Sequence, residues 1–229
     1  FGRRAYRRPL TATEITTFRD FFSSVVEEAC FEQAVRWVVT AMLQSPHFLY
    51  RVELGEEDEE SGKRWFTNHE MASRLSYFLW NSTPDAALLE AADAGKLTTE
   101  EGLLSETVRL MASPRFQDGL RTFFEQYLEL DKVENVKKDP TVFDFFTLDL
   151  GPLAAEETLL LLDYLVEENR DFRELLTTRT THLDPMLASL YGVPAPTAVG
   201  FERVNLPESA KRAGLLGHAS FLSLHAHST

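Results

Sequence analysis

Apolar side chains recur along most of this chain at intervals of three and four residues, the spacing that lays one stripe along an α-helix. Thr11-Ala12-Thr13-Glu14 is a capping box, in which the Thr hydroxyl and the Glu carboxylate satisfy each other's orphan amides, and it predicts a helix to about Val26. Phe31, Ala34, Val35, Val38, Val39, Met42 and Leu43 form a wide apolar face that Ser45-Pro46 must end. This pattern predicts the most buried helix of the first part. Thr67-Asn68-His69-Glu70 is a second capping box, opening a helix through Met71, Leu75, Phe78 and Leu79. Thr83-Pro84-Asp85 starts a short helix that Gly95 closes, Thr98-x-x-Glu101 caps the next, and Ser113-Pro114 opens one through Phe116, Leu120, Phe123, Phe124, Tyr127 and Leu128.

The periodicity breaks from Asp131 to about Phe146, where Phe143, Phe145 and Phe146 predict an aromatic-anchored loop after Lys137-Lys138-Asp139-Pro140. A long helix follows from about Leu153 to Glu168, apolar around most of its circumference and hence expected to be central. Shorter turns are predicted at Asp171–Leu176 and from Asp184-Pro185 to Tyr191, a short extended piece around Phe201–Leu206, and a last helix from Lys211 to Leu224. With about ten helices and little or no strand, the expected fold is all-α, an irregular multi-helix bundle.

Composition divides the chain. Residues 53–60 hold six acids, followed by Ser61-Gly62, and read as a solvated loop without the alternating spacing of a calcium loop. The expected plan is an N-terminal helical module over 1–53, the acidic loop over 54–64, a central helical module over 65–192, and a linker with the start of a third module over 193–229. The net charge of −13 and the lack of a basic stretch interleaved with aromatics exclude a nucleic-acid partner. No apolar run approaches the roughly 18 residues of a membrane span. The sequence opens on Phe1 and stops at Ser228-Thr229, and it reads as an excerpt.

Candidate chemistry is sparse. One Cys excludes internal disulfides and every C-x-x-C arrangement, and Cys30, among apolar residues, is expected to be a small buried hydrophobe. His69-Glu70-Met71-Ala72-Ser73 is the zincin frame with its second His replaced by Ser73. No G-x-S-x-G elbow, Gly-rich phosphate loop or dinucleotide fingerprint occurs. Glu156, Glu157, Asp163, Glu167 and Glu168 read as the wet face of the long helix, since no His stands three positions after a Glu as a carboxylate-bridged metal bundle would want. His218 and His225, seven apart, would share a helical face, with His227 beside them, and read as surface or partner-facing histidines. Arg3, Arg4, Arg7 and Arg8 are expected to pair with acids of later helices, the sharper alternative being an anionic partner. No catalytic residue and no metal ligand is assigned.

Several phrases together resemble a known family. Ala5-Tyr6-Arg7-Arg8-Pro9-Leu10-Thr11 and Leu43-Gln44-Ser45-Pro46-His47-Phe48-Leu49-Tyr50-Arg51-Val52-Glu53 resemble the opening module of large exported bacterial proteins, of planctomycete and myxobacterial type, linked to c-type cytochrome domains. Ala72-Ser73-Arg74-Leu75-Ser76-Tyr77-Phe78-Leu79-Trp80, Met111-Ala112-Ser113-Pro114-Arg115 and Leu190-Tyr191-Gly192-Val193-Pro194 are similar to the second module, and Arg212–Leu222 to the start of a third. The resemblance implies a helical scaffold or interaction region of an exported, periplasmic or cell-surface protein, within an electron-transfer or oxidoreductase assembly, with flanking cytochrome-like domains or another protein as partner. It implies that haem c sits in those flanks and not in this chain, with Arg7, Arg74, Tyr77, Trp80, His218 and His225 as the residues that could line a haem edge. The alternatives are a carbohydrate-active or other hydrolytic enzyme using carboxylates between modules, and a pure protein-interaction module.

Overall fold

The computed structural model describes residues 1–136, 147 and 149–225, and the chain is 64% helical. Eleven α-helices and two small two-stranded sheets are found among the described residues, so the fold is mostly α with some strand. Of the Phe-anchored loop expected from Asp131 to about Phe146, residues 131–135 are instead part of a 3₁₀ turn, Leu130–Asn135, and 137–146, with all three Phe, lie outside the described residues, as does His227. The chain divides into two compact units, 1–119 and 120–229, and the division falls inside one helix.

Unit 1 begins with α1 (Gly2–Tyr6), a turn of helix the periodicity did not announce. α2 (Ala12–Val26) starts at the Thr11–Glu14 capping box. α3 (Phe31–Gln44) pairs with it, and α4 (Pro46–Leu49) follows directly with Pro in its first turn. Ala5, Tyr6 and Met42 form a small core there, packed by Leu10, Phe18, Val38 and Phe48. α3 is not the buried helix its pattern predicts. It buries only Ala34 and Met42, while Phe31, Val35, Trp37 and Leu43 are 37–64% exposed. Cys30 is likewise exposed, at the N-cap of α3, and not a buried hydrophobe.

The acidic stretch is exposed as expected, but it is a hairpin. β1 (Glu56–Glu57) pairs antiparallel with β2 (Arg64–Trp65). α5 (Asn68–Trp80), α6 (Ala86–Asp93) and α7 (Glu100–Met111) then enclose the larger core of the unit, with Ala72, Leu79, Trp80, Leu88, Leu97 and Leu110 buried. Asp85 caps α6 and Thr99 caps α7, each one or two residues beyond the caps expected at Thr83 and Thr98. α8 (Pro114–Tyr127) opens at Ser113-Pro114 and crosses the division between the units.

Unit 2 is built on α9 (Leu150–Glu167), central as its all-round apolar cover predicts. Leu161, Leu162 and Leu165 are almost fully buried, each burial worth about 2 kcal/mol. β3 (Thr180–Leu183) lies on α9 and pairs antiparallel with β4 (Glu202–Asn205), Thr181 facing Val204 and Leu183 facing Glu202. β4 is the expected extended piece; its partner β3 was not expected. Thr181 and Leu183 point inward and Thr180 and His182 are less buried, the period of two that a strand imposes. α10 (Pro185–Tyr191) is capped by Asp184 and closed by Gly192 at φ 68°. The single helix expected over 211–224 is instead a short 3₁₀ turn at 215–217 followed by α11 (Ala219–His225).

Candidate functional site

A cleft of about 270 Å³ opens in unit 1, walled by α1, α4, the stretch 50–54 and the first turns of α5. Its floor is Arg7. α1 ends there in the left-handed conformation, φ 58° and ψ 20°, and the guanidinium is nearly buried. It donates to the carbonyls of His47 and Tyr50 at 2.8 Å, and at longer range to Ala5 at 3.2 Å and Phe48 at 3.4 Å. Three of these carbonyls lie at the C-terminal end of α4, where a cation is favoured by the helix dipole. Arg7 therefore ties α4 to α1, and no carboxylate balances its charge among the described residues.

The acids around the cleft are all held internally. Glu14 answers the Thr11 amide and receives a two-pronged contact from Arg8 at 2.8 and 2.9 Å. That Arg8 contact holds its carboxyl down at about 2. Glu70 closes the Thr67 capping box and also accepts from the Leu54 and Gly55 amides at 2.7 and 3.0 Å. Burial alone would raise the Glu70 pKa, but these amides outweigh it and lower it. Glu53 pairs with Arg74 at 2.9 Å. Arg51 differs: its guanidinium lies 4.7 Å over the Tyr77 ring and it meets no carboxylate among the described residues. Arg7 approaches the same ring at 6.0 Å.

Of the six residues singled out from sequence, Arg7 lines this cleft, and Arg74 and Tyr77 stand behind its wall, against Glu53 and Arg51. Trp80 lies in the neighbouring core, its indole N–H donating to the Leu110 carbonyl at 2.9 Å and Arg115 stacked over its ring. His218 and His225 belong to unit 2 and do not share a helical face, because His218 precedes α11. His225 is exposed against Phe221, whereas His218 is buried and not the surface histidine expected. The residues of this chain do not fit a c-type haem site. Covalent attachment needs two Cys, the chain has one, and the His218 ring is enclosed by protein groups on both nitrogens. No metal-holding group of three His, Cys, Asp or Glu occurs among the described residues.

Arg3 contacts Asp93 on α6, which also receives His69 at 2.9 Å, so the lone His of the zincin-like frame serves as a link to α6. The residues that sequence reasoning missed are Arg51, which stands in the family phrase Leu43–Glu53 without being singled out, and the second task of Glu70, whose capping box gave no sign that it also binds residues 54–55.

A second polar cluster lies inside unit 2, and it overturns the wet-face reading of α9 for Glu157 and Asp163, while Glu167 and Glu168 are exposed as expected. Glu157 and Asp163 are buried. Glu157 accepts from Tyr191 at 2.6 Å and from Thr181 at 2.7 Å, and His218 Nε2 stands 3.7 Å from it. Burial drives its carboxyl up to about 7 despite those two donors, and burial presses His218 down to about 3. Thr158 bridges His218 Nδ1 at 3.0 Å and Ser220 at 2.7 Å, and Tyr191 accepts from the Ala219 amide. The crevice beside this cluster has no room for a water, so it ties α10, β3 and the start of α11 to α9 and offers a substrate no entry. Glu156 turns away to Arg121, which also holds Asp163 at 2.7 Å. Glu156 and Glu157 thus share no cleft, and the pair a glycosidase would need is not formed by them.

Residues 66–193 match the model of a family described as PSD4, protein of unknown function (DUF1592), and residues 1–53 match that of PSD5, protein of unknown function (DUF1595). No curated protein and no solved structure matched the sequence.

Proposed function

This chain belongs to the PSD4 family of proteins of unknown function, and from that premise we propose that it is a helical scaffold and interaction region of a larger exported protein whose c-type haem is carried on a different segment, within an electron-transfer or oxidoreductase assembly. One observation supports the interaction role above the others. Between residues 31 and 54, eight large apolar side chains, among them Phe31, Trp37, Leu49 and Leu54, are 37–70% exposed. Exposed apolar area on this scale favours a covering partner. The occupant proposed is the haem-bearing segment of the same protein. The family resemblance supplies the haem and the export, and a chain with one Cys, where the usual covalent attachment uses two, supports a haem carried on another segment. No helix here is long and apolar enough to cross a membrane.

The test has two arms. A visible spectrum of the full-length product should show a Soret band, and its absence would sink the haem reading. The chain and the haem-bearing segment, made separately, should associate, and Phe31→Glu with Trp37→Glu should abolish that association while circular dichroism stays unchanged. Undiminished association would refute the role given to the exposed face.

A further inference from the structure

We infer that the cleft of unit 1 is a binding site for a small organic carboxylate, gripped by Arg51. Arg7, Arg8 and Arg51 line it together with Glu53 and Glu70, and behind them stand Arg74, paired with Glu53, and Glu14, paired with Arg8, which makes four guanidiniums against three carboxylates. The local balance is 4 − 3 = +1 in a chain of net charge −13, so the cleft runs against the sign of the whole molecule.

The distribution of that charge matters more than its sum. Glu14 is taken by Arg8, Glu53 by Arg74, and Glu70 by three backbone amides. No free carboxylate remains on the wall among the described residues to repel an anion. Arg7 spends its donors on carbonyl groups, which leave its full charge in place beneath the cleft. Arg51 spends none of its donors on a carboxylate and is braced against the face of Tyr77. A planar guanidinium with free donors, held by stacking and backed by a second buried cation, matches the two oxygens of a carboxylate. Tyr50, well exposed, lines the same cleft and offers its ring to the body of the ligand. A cleft of about 270 Å³ has room for a single ring bearing its acid group.

The proposal is tested by titrating the chain calorimetrically, at low ionic strength, with sodium benzoate, sodium glucuronate, inorganic phosphate and uncharged benzamide. At least one carboxylate should bind with a Kd below about 1 mM and benzamide should not. Whether benzoate or glucuronate binds more tightly separates an aromatic from a saccharide source of the same acid group. Arg51→Gln should weaken binding at least about tenfold, Arg51→Lys should recover part of it by restoring charge without the planar fork, and Arg36→Gln, an exposed control on α3, should leave it unchanged. Binding of neither carboxylate, tighter binding of phosphate than of both, or equal affinities in the wild type and Arg51→Gln would overturn the assignment.

Discussion

Replacing Arg7 with Met tests whether a buried cation without a carboxylate partner holds the first segment of unit 1 together. Met retains most of the apolar stem of Arg and removes the fork. Both residues meet the same left-handed backbone at φ 58°, so conformational strain cancels in the comparison. The substitution deletes two short charge-assisted bonds, to His47 and Tyr50 at 2.8 Å, and two weaker ones to Ala5 and Phe48. Bonds to a charged group contribute about 1.5–3 kcal/mol each. Two things reduce the sum: the exposed Tyr50 end can find water, and the cost of burying the guanidinium disappears with it. The expected loss is about 2–4 kcal/mol. Trp37, Trp65 and Trp80 are all the tryptophans of the chain and all lie in unit 1, so urea unfolding followed by tryptophan fluorescence reports on this unit alone. Arg7→Lys, with charge but fewer donors, should fall between. An Arg7→Met midpoint within about 0.5 kcal/mol of wild type at unchanged m would refute the clamp.

In unit 2, the Glu157 carboxyl titrates at about 7 when folded against an ordinary value of 4.5. Stability from this group is complete below pH 4.5 and is lost as pH rises through 7, so the advantage of Glu157→Gln over wild type should grow by about 3 kcal/mol across that window. Hydrogen exchange of α9 amides measured at each pH checks it, and a difference that does not change with pH would be the contrary result. His218, held down at about 3 by burial, has the opposite sign, losing stability as pH falls from 6.5. Gly119→Ala in α8 should lower the melting temperature of unit 1 by several degrees. A Cβ there would stand 2.5 Å from the Leu79 carbonyl oxygen, a clash costing about 1–3 kcal/mol that exceeds the gain of about 1 kcal/mol in helix propensity; an unchanged or higher melting temperature would contradict it.

Helix starts were legible where a side chain satisfies the backbone a few residues away. Thr11 with Glu14, Thr67 with Glu70, and Asp184 before Pro185 do so in the structure as the sequence predicts. The central place of α9 was equally legible, since a helix apolar on all sides must be covered. Those are local interactions, decided within one or two turns of chain. Of the cleft, Arg7 could be suspected from its cluster of arginines and Arg74 and Tyr77 from the family phrases; Arg51 stands in such a phrase too, but nothing marked it out, because its importance lies in what does not pair with it.

What the sequence determined by itself, then, is the helical character of the chain, most of its caps, its uneven charge and the lack of a second Cys for haem attachment. Tertiary structure alone decided which apolar face finds a cover and which acid leaves water. The apolar patterns of α3 and α9 both predict burial, yet α3 keeps Phe31 and Trp37 exposed while α9 is enclosed. Glu156 and Glu157 are adjacent and chemically identical, and only the arrival of Tyr191 and Thr181 from residues far along the chain draws one inward and leaves the other to Arg121. The pairing of β3 with β4 has the same origin. Each depends on contacts between segments distant in sequence, which no local periodicity encodes.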